Sequence, residues 1–134
     1  MVQRKMMTNL EIYNIANILS TEFKEDLVLP VKVNFYFQKN MSAIVALAQD
    51  IDKSRMAIFQ KYGTLNEEEQ RYTFKPEDTD IVNQQLNDLF TLEQEVKVNL
   101  IELDWFGDVS LTTQQMAAIN FMIKDEEEED KDDE

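Results

Sequence analysis

A helical repeat of apolar residues runs through residues 31–62 and sets the main constraint on the fold. Its members recur at three- and four-residue spacings, which places them on one helix face; they are Val33, Phe37, Ile44, Leu47, Ala48, Ile51, Ile58, Phe59 and Tyr62. Pro30 suits a helix start, because its missing N–H and fixed φ cost little there. The first nine residues, VKVNFYFQK, also alternate as a half-buried strand does. We favour one long helix, with a strand over residues 31–39 as the alternative.

A second helix is predicted over residues 76–92. Pro76 opens it, and the acidic residues that follow suit the positive end of the helix dipole. Its apolar stripe consists of Val82, Leu86, Leu89 and Phe90. Gly63 is expected to end the first helix in a left-handed conformation, which glycine adopts at little cost. The two segments therefore predict a long antiparallel helix pair, residues 31–62 and 76–92.

Two capping boxes mark shorter helices near the termini. In this pattern the first side chain accepts a hydrogen bond from a backbone N–H, and the side chain three residues later reaches back. Thr8 and Glu11 match it ahead of an apolar stripe at helical spacing. Thr112 and Gln115 repeat it ahead of a short amphipathic segment that ends near Ile123. We therefore expect short terminal helices.

A small β element is predicted from residues 70–74 and 95–103. Val96, Val98 and Leu100 alternate with polar residues, and the phase shift that follows suggests a bulge or an end buried on both faces. Residues 70–74, QRYTF, are expected to form a short hairpin with residues near Leu65. The predicted fold class is therefore α+β and mostly helical, with residues 1–123 as a single globular domain.

The residue types that are missing exclude several functions. The chain of 134 residues has no His and no Cys, so it lacks the usual general base near neutral pH and the thiolate ligands of zinc. Two glycines cannot build a phosphate-cradling loop. We expect no enzyme activity and no cofactor. The formal charge of −14 disfavours direct nucleic-acid binding, and the apolar runs are much shorter than a membrane helix. Without a signal-peptide core, the expected location is cytoplasmic.

An acidic stretch between the two main helices is the first candidate for a metal site. It contains Glu67, Glu68 and Glu69, followed by Glu77, Asp78 and Asp80. A calcium loop needs oxygen ligands at alternating positions and a glycine at its sharp turn, and this stretch has neither. We interpret the first run as a solvated loop and the second as a helix start, and we predict no metal.

Two neighbouring aromatic residues in the turn DWFGD, Trp105 and Phe106, are candidates for partner binding. Large aromatic side chains dominate the energetics of many interfaces. The alternative is that they close the open edge of the hydrophobic core.

The C-terminal segment, residues 124–134, is an acidic tail. Its sequence KDEEEEDKDDE holds nine acidic residues and two lysines, and such a charge run repels itself and is expected to be flexible. It either solubilises the chain or mimics a phosphate backbone in the basic, nucleic-acid-binding groove of a partner. In the second case the contact residues are Glu126, Glu127, Glu128, Glu129 and Asp130.

Several segments occur in a recognisable order along residues 27–123. LPVKVNFYFQKN leads a helix that ends in KYG, a charged insert precedes TDIVNQQLNDLFTLEQEVKVNLIEL, and LTTQQMAAINFMI closes the series. This order resembles an uncharacterised family of small proteins encoded by tailed phages and prophages of Gram-positive bacteria. The resemblance implies a phage gene and supplies no functional residues.

These features predict a phage-encoded, non-catalytic protein-binding module in the host cell cytoplasm. Its charge suits an inhibitor of a host defence or nucleic-acid enzyme, because acidic surfaces are steered toward basic grooves. The alternative is a virion protein or a tail or head assembly accessory protein. A homo-oligomer would fit that alternative, with the strand at residues 95–103 added to a neighbouring sheet.

Overall fold

The computed structural model describes residues 1–23 and 27–124. Its helices are α1 Asn9–Glu22, α2 Val31–Tyr62, α3 Thr79–Thr91 and α4 Thr113–Ile119. Its strands are β1 Val2–Thr8, β2 Gly63–Asn66, β3 Arg71–Phe74 and β4 Glu93–Asn99. Short 3₁₀ turns cover Pro76–Asp78, Leu103–Phe106 and Asn120–Met122. The mostly helical α+β class is confirmed.

Helix α2 is the axis of the molecule, and the prediction of one long helix is confirmed. The residues that it buries follow helical spacing; they are Val33, Phe37, Asn40, Ile44, Ala48 and Ile51. Val31 and Phe35, which would join Val33 and Phe37 on one face of a strand, instead lie on the exposed side of the helix. The apparent alternation over residues 31–39 therefore arises from apolar side chains on both sides of a helix.

Helices α1 and α3 both run antiparallel to α2. Tyr13 in the first half of α1 donates a hydrogen bond to Asp52, whereas Phe23 at the end of α1 packs on Phe37 near the start of α2. On the other side, Gln85 of α3 donates to the hydroxyl of Tyr62 at the end of α2. The predicted capping boxes that begin α1 and α4 are both present.

The first strand, β1, was not predicted from the sequence. It pairs antiparallel with β4, from Val2 opposite Asn99 to Thr8 opposite Glu93. One face of this sheet adds Met7, Val96 and Val98 to the core, which α1, α2 and α4 complete. The sheet thus joins the N-terminus to a segment about ninety residues later in the chain.

Both segments of the predicted β element, about residues 70–74 and about residues 95–103, contain a strand, but the two strands lie in different sheets. Residues of β3 pair with β2, as the hairpin prediction had it, but this hairpin is a separate sheet from β1–β4. The strand β4 also ends at Asn99 and does not reach residue 103. One more bond follows the β1–β4 ladder: the N–H of Leu100 donates to the carbonyl of Met1. Beyond it, Ile101 turns to a bridge with Ile123.

Gly63 ends α2 as predicted, but the predicted left-handed conformation is wrong. Its backbone is extended (φ −113°, ψ 168°) and already begins β2. Space explains the glycine: a Cβ here would lie 2.7 Å from the ring of Phe74 and 2.8 Å from the carbonyl oxygen of Phe59. The hairpin can therefore fold closely back onto the last turn of α2.

Asn40 is a polar residue buried in the core at 1% exposure. Its Nδ2 donates to the carbonyl oxygen of Asn99 at 2.8 Å, and the N–H of Asn99 donates to its Oδ1 at 2.7 Å. These are the two bonds that a neighbouring strand would make with Asn99. A helix side chain thus takes the place of a third strand at the end of β4.

The second half of α2 and the hairpin form an arm, residues 52–81, in which no residue is fully buried. Within the arm a small aromatic cluster packs together: the ring centroid of Phe59 lies 5.8 Å from that of Tyr72 and 5.6 Å from that of Phe74. The main core ends on α2 at Ile51. The arm therefore extends beyond the part of the fold that is held by fully buried side chains.

Candidate partner-binding surface

The 3₁₀ turn Leu103–Phe106 places the two predicted aromatic residues in different environments. Phe106 is 7% exposed and belongs to the core, which is the structural alternative considered from the sequence. Trp105 is half-buried and packs against the core from its edge. Of the pair, Trp105 retains surface that a partner can contact.

Trp105 is one end of an aromatic series that continues onto the first turns of α2. Its ring stacks on Tyr36 with centroids 5.9 Å apart, and Tyr36 meets Phe35 edge to face at 5.3 Å. Two lysines flank the series: Lys32 Nζ lies 4.0 Å from the centroid of the Trp105 ring, and Lys39 Nζ lies 5.1 Å from that of Phe35. We call this surface the α2 patch, defined by Val31, Lys32, Phe35, Tyr36, Lys39 and Trp105.

The α2 patch is apolar and open to solvent. Val31 is 87% exposed and Phe35 is 55% exposed, although both are large apolar residues. The helical repeat explains their position, because the core stripe runs through Val33 and Phe37 and leaves the neighbouring positions facing outward. Val28 and Leu103, close in sequence to the two ends of the patch, are also exposed. Exposed apolar surface concentrated in this way is typical of an interaction site.

The lysines of the α2 patch have no carboxylate partner within the part of the chain that the structure describes. There, ion pairs join Arg4 to Glu95, Arg55 to Asp52, Arg71 to Glu69 and Lys124 to Glu102. Lys32 and Lys39 instead lie over aromatic faces, which attract cations through the ring quadrupole. The patch therefore combines apolar contact area with two positive charges that no carboxylate of residues 1–23 or 27–124 neutralises.

A groove of about 540 Å³ between α1 and α2 is the second candidate. Some of the side chains that line it are small, among them Ala16, Ser20 and Ala48, and they leave the space between the two helices unfilled. Two of its charged groups are paired, since Asp52 accepts hydrogen bonds from Tyr13 and, at 2.7 Å, from Arg55. Lys53 also lines the groove, but among the described residues no second ionisable side chain is bonded to it as a base bonded to a nucleophile would be.

The predicted tail residues Glu126, Glu127, Glu128, Glu129 and Asp130 lie outside the described residues. The base of the tail is described: the N–H of Lys124 donates to the carbonyl of Ile101 at 2.8 Å. The ammonium of Lys124 lies 3.9 Å from Glu102. Residue 124 is therefore attached to the body, and the tail leaves it next to the segment that carries Trp105.

The acidic run at residues 67–69 forms the turn of the β2–β3 hairpin. The side-chain oxygen of Asn66 accepts from the N–H groups of Glu68 and Glu69, and Glu69 pairs with Arg71 at 2.7 Å. Over residues 1–23 and 27–124, no group of three or more acidic side chains is placed to hold a metal ion. The turn is accounted for by these local bonds.

The sequence alone did not single out the α2 part of the patch. Phe35 and Tyr36 were assigned to a segment that could have been helix or strand, and only the helix places Phe35 beside Val31 on the exposed side. The sequence does carry a signal for the patch: Val31 and Phe35 are apolar, but they fall outside the helical repeat of Val33 and Phe37.

Comparisons of the chain with protein-family models, with curated proteins and with solved structures gave no match. None of the helices within residues 1–23 and 27–124 has the length and apolar character needed to cross a membrane. The geometry of the α2 patch and the charge of the chain are therefore the features that bear on function.

Proposed function

We propose that the chain is a phage-encoded, non-catalytic protein-binding module that works in the host cytoplasm and docks through the α2 patch. The observation that carries the proposal is the exposure of Val31 and Phe35 beside the stacked pair Tyr36 and Trp105. Aromatic anchors at the centre of an apolar surface supply most of the free energy of many protein complexes. The resemblance in sequence to a phage family supports the proposed origin.

The non-catalytic part of the proposal is supported by the side chains available. The chain has no His and no Cys, the residues that most often act as base or nucleophile near neutral pH. In the α1–α2 groove, Asp52 is held by Arg55 and Tyr13. The Oδ1 atom of Asp52 is therefore already engaged by two donors within the chain.

Within this proposal, the net charge of the chain favours a role as an inhibitor of a host defence or nucleic-acid enzyme. A net charge of −14 steers the chain toward a basic groove and raises the association rate. The acidic tail starts beside Glu102, directly before the turn that carries Trp105. One partner could therefore contact the patch and the tail together.

Capture of a partner by matched variants tests the docking surface. The immobilised chain is exposed to a lysate of a Gram-positive host, and the captured protein is then purified and its Kd is measured by calorimetry. Phe35→Asp places a charge in the α2 patch, whereas Leu65→Asp places one at a comparably exposed apolar site, 44% exposed, on the hairpin.

We expect Phe35→Asp to weaken binding by about a hundredfold, as loss of a hot-spot residue of 2 kcal/mol or more does, and Leu65→Asp to leave Kd unchanged. Circular dichroism of both variants checks that they are folded. A folded Phe35→Asp variant that binds with the Kd of the unmodified chain would remove the α2 patch from the proposal.

Assembly into a phage particle is a second candidate function, favoured by the β1–β4 sheet. Within the described residues β1 has one neighbouring strand, so one of its edges is open to a further strand. Mass photometry of the purified chain and mass spectrometry of purified virions test this candidate. A chain that is monomeric and missing from virions would count against it.

A further inference from the structure

Lys32 and Lys39 give the α2 patch a defined charge pattern. They are seven residues apart on one helix, which corresponds to two turns and about 10 Å along its axis. Phe35 lies between them in sequence and is exposed. The patch thus presents an apolar centre with a positive charge toward each end.

The aromatic rings hold these two charges in place. Lys32 Nζ lies 4.0 Å from the centroid of the Trp105 ring, which is itself stacked on Tyr36. Lys39 Nζ lies 5.1 Å from the centroid of Phe35. Because ordering a long side chain costs conformational entropy on binding, ammonium groups that are already positioned bind an anion at lower cost.

The start of α2 adds to the positive potential near Lys32. Helix N-termini carry a partial positive charge on their unpaired N–H groups. The first turn of α2 contains no acidic residue, and its cap residue, Pro30, makes no side-chain hydrogen bond. A carboxylate that approaches Lys32 therefore meets a helix end that, within residues 1–23 and 27–124, no acidic residue of its own first turn neutralises.

We propose that the α2 patch binds an amphipathic helix of a partner that carries two acidic residues seven positions apart with an apolar residue between them. The inference rests on the proposed function and specifies the partner. A helix fits because charges on facing helices pair at seven-residue spacing along an apolar seam, and Lys32, Phe35 and Lys39 repeat that pattern. A nucleic-acid backbone carries negative charge along its whole length and offers no apolar side chain to cover the exposed Phe35 between the two lysines.

The single tryptophan of the chain, Trp105, reports binding directly. The probes are synthetic helical peptides of about 20 residues, long enough to be helical in water. One carries Glu at two positions seven apart around a central Leu, and its matched control carries Lys at those two positions. Trp105 fluorescence is titrated with each peptide, for the unmodified chain and for the charge-reversed chain Lys32→Glu with Lys39→Glu.

We expect the unmodified chain to bind the Glu peptide about tenfold more tightly than the Lys peptide, and the charge-reversed chain to show the opposite preference, since each of two exposed ion pairs changes Kd by up to about fivefold. A control with Lys53→Glu and Lys61→Glu, elsewhere on α2, keeps the original preference. Raising the salt concentration from about 0.1 M to about 1 M, which shortens the Debye length from about 10 Å to about 3 Å, reduces the preference.

Three results would overturn the inference: no saturation by the Glu peptide up to about 1 mM, equal affinity for the two peptides, or an oligonucleotide that displaces the Glu peptide. If the captured host partner nevertheless loses binding to Phe35→Asp, the proposed function stands and only the acidic-helix partner is wrong. If that capture is also insensitive to Phe35→Asp, both proposals fail.

Discussion

Replacement of Asn40 by Leu tests whether a helix side chain completes the end of a β-sheet. Leucine has a similar volume, so the core stays filled, but it cannot bond to Asn99. The N–H and C=O of Asn99 lose bonds of 2.7 and 2.8 Å. An unpaired buried polar group costs about 1–3 kcal/mol.

The expected loss in the free energy of unfolding lies in the lower part of the range for two unpaired polar groups. Asn99 is half-buried, so water can form part of the hydrogen bonding that Asn40 no longer provides. We therefore expect Asn40→Leu to lower the free energy of unfolding by about 2–4 kcal/mol, a large share of the about 5–15 kcal/mol that is usual for a domain. The measurement is urea denaturation with the slope m fitted freely. Asn34→Leu, at an exposed position on the same helix, should change the free energy of unfolding by no more than about 0.5 kcal/mol.

Asn40→Asp adds a pH-dependent test of the same geometry. A carboxylate can accept from the Asn99 N–H, but its second oxygen would face the Asn99 carbonyl, where the amide now donates. That repulsion and burial raise the pKa of the introduced carboxyl above its unfolded value of about 3.9. The charged form is therefore penalised in the folded state, and the variant loses most stability at pH values above the raised pKa. As the pH falls through that pKa, the protonated group can donate to the carbonyl and stability relative to the unmodified chain recovers.

Two results would refute this account of Asn40. One is a loss below about 0.5 kcal/mol for Asn40→Leu, the size expected of an ordinary surface change. The other is a loss for Asn40→Asp that is the same at about pH 4.5 as at about pH 7.

Two further predictions concern the hairpin and the tail. Gly63→Ala puts a methyl group 2.7 Å from the Phe74 ring and 2.8 Å from the Phe59 carbonyl oxygen. We therefore expect urea denaturation to show a loss of about 1–3 kcal/mol in the free energy of unfolding, as for other overpacked sites. In the double variant with Phe74→Ala, part of the loss caused by Gly63→Ala should disappear, and strictly additive losses would contradict the steric explanation. Deleting residues 125–134, which spares the bonded Lys124, should weaken binding to the captured host partner and flatten its salt dependence. A neutral Gly/Ser tail of equal length is the control, and unchanged affinity on deletion would show that the tail does not contact the partner.

The helices were predictable because their signals are local. A helical repeat, two capping boxes and a proline start each depend on residues within a few positions of one another, and they located α1, α2 and α4. The strand β1 was missed because VQRKMMT does not alternate clearly and is stabilised by β4, about ninety residues away in the chain. The end of the strand predicted over residues 95–103 was misplaced for the same reason, since the pairing partner changes from β1 to Ile123 after Asn99.

The candidate site was only partly predictable for a related reason. Trp105 stood out as an aromatic residue in a turn, but the packing partner that gives it a role, Tyr36, lies on α2, which the turn contacts only in the folded chain. Exposure also decided between Trp105 and Phe106, and adjacent residues of similar character carry no sequence signal for which one faces inward. The charge pattern of Lys32 and Lys39 became meaningful once the segment was known to be helical.

The arm, residues 52–81, implies that the cooperativity of unfolding changes along a single helix. The first turns of α2 are tied to the rest of the molecule by fully buried side chains, whereas the turns after Ile51 are supported by half-buried contacts alone. Segments with few buried apolar contacts open at a lower free energy than the core. Hydrogen-bonded backbone amides between the second turn of α2 and Ile51 would therefore exchange with solvent mainly through global unfolding, and those beyond Ile51 through a local opening that frays the helix from the hairpin end. One continuous helix would then belong to two cooperative units, with the boundary set by where the core stops and not by any break in the helix itself.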